Sequence, residues 1–587
     1  MGTISDKLMR IINTKEDIRQ ALISKGYDVP TSIPFKEYAK MISDLPCRVD
    51  SFPDIEGIVA RYSALGLTNE QMAANPVWAD KTGNDHDLQM KNFAWGGMSG
   101  VGGYTENYNS NKWYKVESRI DATWTYKSFN ARSIKDNRSA QLFYQSSLSD
   151  TGFRVLSCTI KVSGLTDGQG IEYVSNGTQQ FVIMRIENDG IYHLPSFDFG
   201  AKNAYYGFKF LKLQESCNIT IEQLPLYPGA LVFDGVDDYG VCDNFPILTK
   251  EKGYTVVALR QWITYNPNAI SAIATNASDQ SFNGAFTFEN YNKGAEQTIS
   301  YGATQITLQY SKSPFSWQTT SKYNGVNIAN GNKDATNSLV LGRSYPQRNE
   351  FANFAIWELV FLDHDATEEE LTKIKDYFVK TYPWLFFDQA WTVTGKTNED
   401  ENRATIANIT GNGNDLVCLN LGFIEGSGYN EEGEYAGYLV TDGVDDKIIS
   451  SIFKMGNDWT VIGDWELINT GKNDNAGIVK FDSIVIYNYN YNYNSMLINI
   501  KNGRNILIPD QNTVNAICSD GRIYSKDWKE SIYNEETEST SKNFLTIGYS
   551  GNAYTKIAFK NLAIYPTVLS REDCIKAYNY LQTLKAK

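Results

Sequence analysis

Two acidic turns hold the densest chemistry in this 587-residue chain. The run Leu231-Val232-Phe233-Asp234-Gly235-Val236-Asp237-Asp238-Tyr239 recurs as Leu439-Val440-Thr441-Asp442-Gly443-Val444-Asp445-Asp446-Lys447. Carboxylates this close together could ligate calcium, a hard cation that takes carboxylate and carbonyl oxygens. Asp238 and Asp446 are the candidate ligands. The same residues also spell a turn. Gly235 and Gly443 supply the bend, and Asp234 and Asp442 offer side chains that bond nearby backbone groups. The turn is the preferred reading, so no metal or cofactor is expected.

Other residue constellations do not assemble into a catalytic set. A glycoside hydrolase needs two carboxylates facing one sugar bond. The nearest approaches are Glu117 with Asp121 and Glu187 with Asp189, and each lacks a third acid. His86, His193 and His364 are the only histidines and lie far apart in sequence. No nucleophile elbow, zinc-binding His-Glu-x-x-His or phosphate loop occurs. The most unusual stretch is Ile486-Tyr487-Asn488-Tyr489-Asn490-Tyr491-Asn492-Tyr493-Asn494. On a strand, Tyr487, Tyr489, Tyr491 and Tyr493 fall on one face and the asparagines on the other. An aromatic face beside amides suits sugar binding or a subunit contact. The other reading is a half-buried strand with its tyrosines in a core. The corresponding run in the first half, Phe286-Thr287-Phe288-Glu289-Asn290-Tyr291-Asn292, favours that one.

Composition narrows the class. Hydrophobic residues make up 42% and charged residues 21%, the balance of an ordinary globular chain. Aromatics reach 13%, with 37 Tyr, which suits pleated surfaces. A net charge of −14 without a basic block argues against nucleic acid and against attraction to a membrane surface. Seven scattered cysteines, with no C-x-x-C pair, read as buried free thiols. No apolar run is long enough to span a bilayer, and the N-terminus lacks the apolar core of a signal peptide. Export by the ordinary secretory route is therefore not expected.

The elements that would position these residues follow from repeats. Asp234 to Ala355 spans 121 positions (355 − 234), and Asp442 to Ala563 spans the same 121 (563 − 442). Tyr254-Thr255-Val256-Val257 answers Trp459-Thr460-Val461-Ile462, and Ala355-Ile356-Trp357 answers Ala563-Ile564-Tyr565. Equal spacing over that length marks a domain duplication. An upstream Thr82-Gly83-Asn84 echoes Thr410-Gly411-Asn412. From Thr to the acidic turn is 152 residues in the first copy (234 − 82) and 32 in the second (442 − 410). Roughly 120 residues are thus inserted into the first copy, and their apolar–polar alternation predicts strands near 155–162, 180–186, 205–212 and 218–222. Each copy should close with a capped helix: Thr367 before Leu371, Ile374 and Phe378, and Ser570 before Ile575, Tyr578 and Leu581. At the N-terminus, Thr14-Lys15-Glu16-Asp17 and Pro34 open two short amphipathic helices within residues 1–47, too small to be stable alone.

The order of these motifs resembles the laminin-G or concanavalin-A-like jelly-roll family. The resemblance rests on Ile547-Gly548, Ala563-Ile564-Tyr565 and Leu569-Ser570-Arg571-Glu572-Asp573, with their counterparts in the first copy. It implies a mainly β fold: tandem concanavalin-A-like jelly-roll sandwiches, a small inserted β-sandwich and a short helical N-terminal module. The boundaries are 1–50 for the helical module, 51–104 plus 229–385 for the first jelly roll, 105–228 for the insert and 386–587 for the second jelly roll. Enzymes of that family usually carry Glu-x-Asp-x-(x)-Glu on one strand, and none occurs here.

The N-terminus, with Thr3-Ile4-Ser5-Asp6-Lys7-Leu8, Lys25-Gly26 and Pro34-Phe35-Lys36-Glu37-Tyr38-Ala39, is similar to a module that begins appendage proteins of tailed phages. The whole arrangement looks most like appendages of phages of Bacteroides-type hosts, including crAss-like phages. That resemblance implies a non-enzymatic virion protein, a tail or head fibre, made in the host cytoplasm. Residues 1–50 would join other virion proteins. The sandwiches would face host-surface polysaccharide, in a homo-oligomer with a trimer favoured. The alternatives are a capsular polysaccharide depolymerase and a purely architectural decoration.

Overall fold

The computed structural model describes residues 52–586 apart from internal segments, the longest being 146–152, 200–204, 265–272, 278–286, 289–304, 311–334, 344–348, 469–476, 490–494, 509–513 and 533–544. The expected N-terminal helical module and Cys47 lie outside the described residues.

Period-2 alternation and β-branched residues make the chain mainly β, and every pairing among the described strands is antiparallel. The strands form sandwiches of facing sheets. In the first copy, one sheet runs Gln305–Tyr310, Thr255–Trp262, Asn353–Leu362, Leu231–Asp234, Gly100–Val101, with Ile58–Ser63 also paired to Asn353–Leu362. The facing sheet runs Val77–Trp78, Leu88–Lys91, Tyr239–Cys242, Ala335–Leu341, Ala274–Ala277, Thr287–Phe288. Trp78, Phe233, Phe354 and Phe361 fill the space between.

The second copy repeats this strand order. Val514–Cys518, Thr460–Leu467, Ile557–Tyr565, Leu439–Val440 and Gly428–Tyr429 take the corresponding places, with Gln389–Thr392 on Ile557–Tyr565. Its facing sheet runs from Thr405–Ile406 through Leu416–Leu419, Lys447–Ser450, Thr546–Ile547 and Gly477–Phe481 to Ile484–Tyr489, Ser495–Ile500 and Arg504–Ile508. In both copies the longest interior strand, Asn353–Leu362 or Ile557–Tyr565, is buried almost throughout. A strand covered on both faces reads as a continuous apolar run, which is what Ala355-Ile356-Trp357 and Ala563-Ile564-Tyr565 spell.

Strands between Trp113 and Gln223 pair only with one another, in two five-stranded sheets and one two-stranded sheet. They enclose their own core around Trp113, Phe129, Phe208 and Ile219. The observed strands Cys158–Ser163, Tyr205–Leu213 and Asn218–Gln223 lie within three residues of their predicted bounds, and Gln180–Ile186 coincides with its own. The two stems of this segment are bonded together. Gly102 N donates to Ala230 O at 2.9 Å, Tyr227 N to Gly102 O at 2.8 Å and Leu226 N to Gly103 O at 3.0 Å. At the same place the second copy has a short loop, closed by Asn430 N to Tyr438 O at 2.9 Å.

Both closing helices form where their caps predict. Thr367 Oγ1 accepts from Glu370 N, and the Glu370 side chain reaches back to Thr367 N, before the helix Glu368–Thr381. Ser570 Oγ accepts from Asp573 N at 3.1 Å before the helix Arg571–Leu581. The second helix differs from its expected single face. Cys574, Ala577, Tyr578, Asn579, Tyr580 and Leu581 are all buried, while Ile575 is half-buried. The reason is that it lies between the two sandwiches. Tyr580 stacks with Phe387 at 6.3 Å and meets Trp357 of the first copy edge-on at 6.4 Å, and Lys576 sits 4.4 Å over Trp384.

The first copy also carries a buried ion pair. Arg61 and Glu358 are 4% and 0% exposed and meet at 3.2 Å between Nε and Oε2. Tyr382 donates to Glu358 Oε1 at 2.6 Å, and Arg61 Nη2 donates to Tyr377 Oη at 2.8 Å. Burial pushes the Glu358 carboxyl up, and the Arg61 charge opposes that. The network fastens the first strand and the closing helix to Asn353–Leu362. In the second copy Asn561 takes the place of Glu358. Leu231 pairs with Ile356 and Leu439 with Phe559, so Ala558 answers Ala355 and the sequence match to Ala563 is five residues out of register (563 − 558). Removing one partner strands a buried charge, so Arg61→Met is expected to cost about 3–5 kcal/mol of unfolding free energy. The double variant Arg61→Met, Glu358→Leu should recover most of that loss; urea denaturation of both checks it.

Candidate functional site

Each acidic turn is the corner where the chain leaves one sheet for the other. Leu231–Asp234 and Tyr239–Cys242 belong to facing sheets, as do Leu439–Val440 and Lys447–Ser450. Gly235 and Gly443 adopt φ of 75° and 76°. A Cβ at Gly235 would lie 2.7 Å from Asn353 Cβ, and one at Gly443 would lie 2.9 Å from Lys556 N, so only glycine fits.

The carboxylates turn inward on this corner. Asp234 Oδ1 accepts from Val236 N at 2.7 Å, and Asp442 Oδ1 accepts from Val444 N at the same 2.7 Å. Asp238 Oδ2 accepts from Asp234 N at 3.0 Å, while its Oδ1 accepts from Ser99 Oγ at 2.9 Å. In the second copy Asp446 Oδ2 accepts from Asp442 N at 2.8 Å and from Ser427 Oγ at 2.7 Å. Asp238 and Asp446 are both fully buried. Burial pushes the Asp238 carboxyl up to about 7, and burial likewise raises that of Asp446.

Ser99 and Ser427 belong to a second repeat that sequence reasoning missed. It stands as Asn92-Phe93-Ala94-Trp95 to Ser99-Gly100, and as Asn420-Leu421-Gly422-Phe423 to Ser427-Gly428. The two serines also accept from Ala94 N and Gly422 N, each at 2.8 Å. Asn92 Nδ2 donates to Asp237 O and Asn420 Nδ2 to Asp445 O, both at 3.0 Å. Asn92 and Asn420 share φ of 67°, and Trp95 and Phe423 adopt 50° and 52°. Asn69 brackets Val101 with both halves of its amide, as Asn398 brackets Tyr429. The common Asn-to-Ser spacing of seven was the available signal (99 − 92 and 427 − 420).

The upstream turn matches as well. Thr82 Oγ1 donates to Asp80 Oδ2 at 2.7 Å, and Asp80 N donates to Asp87 Oδ1 at 2.8 Å. Thr410 Oγ1 donates to Asn408 Oδ1 at 2.8 Å, and Asn408 N donates to Asp415 Oδ1 at 2.8 Å.

In each acidic turn three carboxylates bring one oxygen apiece within 4.8 Å of one another, Asp234, Asp237 and Asp238 in the first and Asp442, Asp445 and Asp446 in the second. A divalent cation there would compete with the serine hydroxyl and the backbone amides that those oxygens already accept. The remaining candidates stay apart. Tyr487 and Tyr489 lie in the strand Ile484–Tyr489, in register with Leu497 and Ser495 of the next strand. Tyr491 and Tyr493 lie outside the described residues. His86 packs edge-on to Phe245, His364 bridges Asp363 and Glu370, and His193 lies in the insert, so no two histidines share a site. Both oxygens of Asp189 accept backbone amides, from Gly164 and Leu165. Six of the seven cysteines are described, and all six are buried free thiols. No helix among the described residues is long and apolar enough to cross a membrane.

No family model and no curated protein matches the chain. Among solved structures it is similar to the botulinum neurotoxin type G receptor binding domain, at 12% identity over 33% of this chain and 50% of that one, with a TM-score of 0.20. The chain thus spans half the length of that domain. A Trypanosoma rangeli sialidase in complex with sialic acid matches at 7% identity over 82% of this chain and 97% of that one, with a TM-score of 0.26. The tandem CBM22 domains of Paenibacillus barcinonensis Xyn10C match at 7% identity over 46% and 99%, with a TM-score of 0.15. At these scores the likenesses carry no argument about sites or activity. The mainly β, sandwich-built fold stands on the strand pairing itself.

The raised Asp238 carboxyl sets the sign of a pH effect. An unfolded aspartate titrates near 4, so between about pH 4 and 7 the folded chain holds the extra proton, and stability falls as pH rises through that window by up to about 1.4 kcal/mol per unit. Asp238→Asn keeps an acceptor and loses the titration, so its advantage over the parent should grow from pH 5 to pH 8, roughly the span of the transition, in chemical denaturation. Because Asp238 and Asp446 already accept from a serine hydroxyl and the turn backbone, a chelator should leave the melting temperature unchanged. A fall on chelation that calcium restores would place the ion in the turn.

Proposed function

We propose that the chain is a structural and adhesive protein of a tailed-phage virion, a tail or head fibre joined to the particle through residues 1–50. The sandwiches present a lectin-like surface to host polysaccharide, in a homo-oligomer for which a trimer is favoured. The observation that carries the virion reading is the N-terminal sequence from Thr3 to Ala39, with its likeness to the opening module of phage appendages. The sandwich architecture supports the adhesive half. Its buried acids Asp238 and Asp446 are committed to corner geometry rather than turned to an open face. The Tyr-Asn alternation in and after the strand Ile484–Tyr489 supplies side chains of the kind that hold sugars.

Deleting residues 1–47 from the phage-encoded protein is expected to abolish its incorporation into particles while the purified remainder keeps its β circular dichroism and blocks phage adsorption. Normal incorporation of the truncated protein would sink the attachment role. A remainder that leaves adsorption untouched would point to architectural decoration, and new reducing ends released from capsular polysaccharide would point to a depolymerase.

A further inference from the structure

We propose that Cys518 and Cys574 form a disulfide that fastens the closing helix of the second sandwich to its sheet when a peroxide oxidises the chain. Cys518 ends the strand Val514–Cys518, and Cys574 lies near the start of the helix Arg571–Leu581. Both are buried free thiols. The two thiols hydrogen-bond to one another, Cys574 donating to the Cys518 sulfur. Thr460 holds the two elements together. It is the cross-strand partner of Cys518, and its Oγ1 lies 3.7 Å from Cys518 Sγ. The same Oγ1 donates to Thr567 O at 2.9 Å and accepts from Leu569 N at 2.9 Å. The helix starts just after Leu569, with Cys574 N donating to Ser570 O at 2.8 Å and Cys574 Sγ 4.0 Å from Leu569 O. The first copy repeats this frame without sulfur. There Thr255 Oγ1 donates to His364 O and accepts from Ala366 N, both at 2.8 Å. The strand partner of Thr255 is Tyr310, and Leu371 N donates to the Thr367 cap as Cys574 N does to Ser570. Of the two copies, the second alone has cysteine at both positions.

The two sulfurs differ in reactivity. The hydrogen bond from Cys574 holds the Cys518 thiol below its ordinary range. The Arg522 guanidinium, anchored on Asp520 Oδ2 at 2.7 Å and Leu569 O at 3.0 Å, acts in the same direction. Burial pushes the Cys574 thiol up. The thiolate is the reactive form, so Cys518 is the first to react. Its sulfur attacks one oxygen of hydrogen peroxide and the O–O bond breaks, leaving a sulfenic acid on Cys518 and one water. The Cys574 sulfur then attacks the Cys518 sulfur and the S–O bond breaks. The departing hydroxide takes the Cys574 proton and leaves as a second water. Two thiols lose two electrons and two protons, and one peroxide becomes two waters. Burial of both sulfurs selects a small oxidant over a bulky disulfide. The new bond closes a long loop, 56 positions from Cys518 to Cys574 (574 − 518), and so constrains the unfolded chain.

The test exposes the full chain, first fully reduced, to hydrogen peroxide and maps linked peptides by mass spectrometry without reduction. The expected product joins the peptide carrying Cys518 to the one carrying Cys574, lighter than the two together by two hydrogens. The melting temperature should rise by about 4 °C or more relative to Cys574→Ser treated in the same way, and a reducing agent should reverse the rise. Cys518→Ser removes the sulfur that reacts first and should leave Cys574 a free thiol. Peroxide that leaves both thiols free, or that drives Cys518 to a sulfinic acid with Cys574 still reduced, would overturn the pair. The peptide map is read on the parent chain, so it decides the matter even where a serine variant folds poorly.

Discussion

A carboxylate buried at each sheet-to-sheet corner is the constraint on which both sandwiches depend. Asp238 and Asp446 accept from the backbone of their own turn and from a serine that lies at a different crossing between the same two sheets. One side chain therefore fixes two corners at once. A buried acid is costly unless it is hydrogen-bonded. Here the donors are local and rigid, so the cost is met wherever the corner is correctly built and nowhere else. That makes the acid a selector of the right sheet pairing as much as a contributor to stability. It also explains why the two copies keep this geometry to within a few tenths of an ångström while their outer loops diverge.

Much of the architecture was legible because it is written in periodicity. The repeated acidic turn marked the duplication, the alternation of residues 205–212 an insert strand, and Thr367 and Ser570 two helix starts. The equal 121-residue spacing was not a true equivalence, because Ala558 rather than Ala563 takes the place of Ala355 (355 − 234 is 121, 558 − 442 is 116). The signals that held are local. The serine partner was not legible for the opposite reason. Ser99 stands 139 residues before its aspartate and Ser427 stands 19 before (238 − 99 and 446 − 427), because the insert falls between them in one copy alone. The Arg61–Glu358 pair was hidden in another way. Glu358 sits inside an apolar strand, where a charge reads as an exposed interruption, and only the third dimension shows Arg61, Tyr377 and Tyr382 closing around it.

The closing helix of the second copy shows how a correct start signal can come with an incomplete face. A single apolar stripe is what a helix needs against one neighbour. Arg571–Leu581 has two, because Trp357 and Trp384 approach from the side of the first sandwich. Tyr580 and Lys576 serve that second surface, one as an aromatic edge and the other as a cation over an indole. The tandem sandwiches are thereby coupled through packed aromatics. The insert reaches the second sandwich through a polar contact at His193 and Lys560.

The closed stems of the insert have an evolutionary consequence. Gly102, Gly103, Tyr227 and Ala230 zip the two ends of a whole domain together just outside the strands Gly100–Val101 and Leu231–Asp234, and the second copy closes the same gap over the few residues from Asn430 to Tyr438. The host sandwich senses only the stem. Whatever folds beyond it, eight residues or a hundred and twenty, leaves the corner carboxylate and the sheet register untouched. A stem of this kind would let recombination exchange the outer module as a cassette without refolding the frame that carries it.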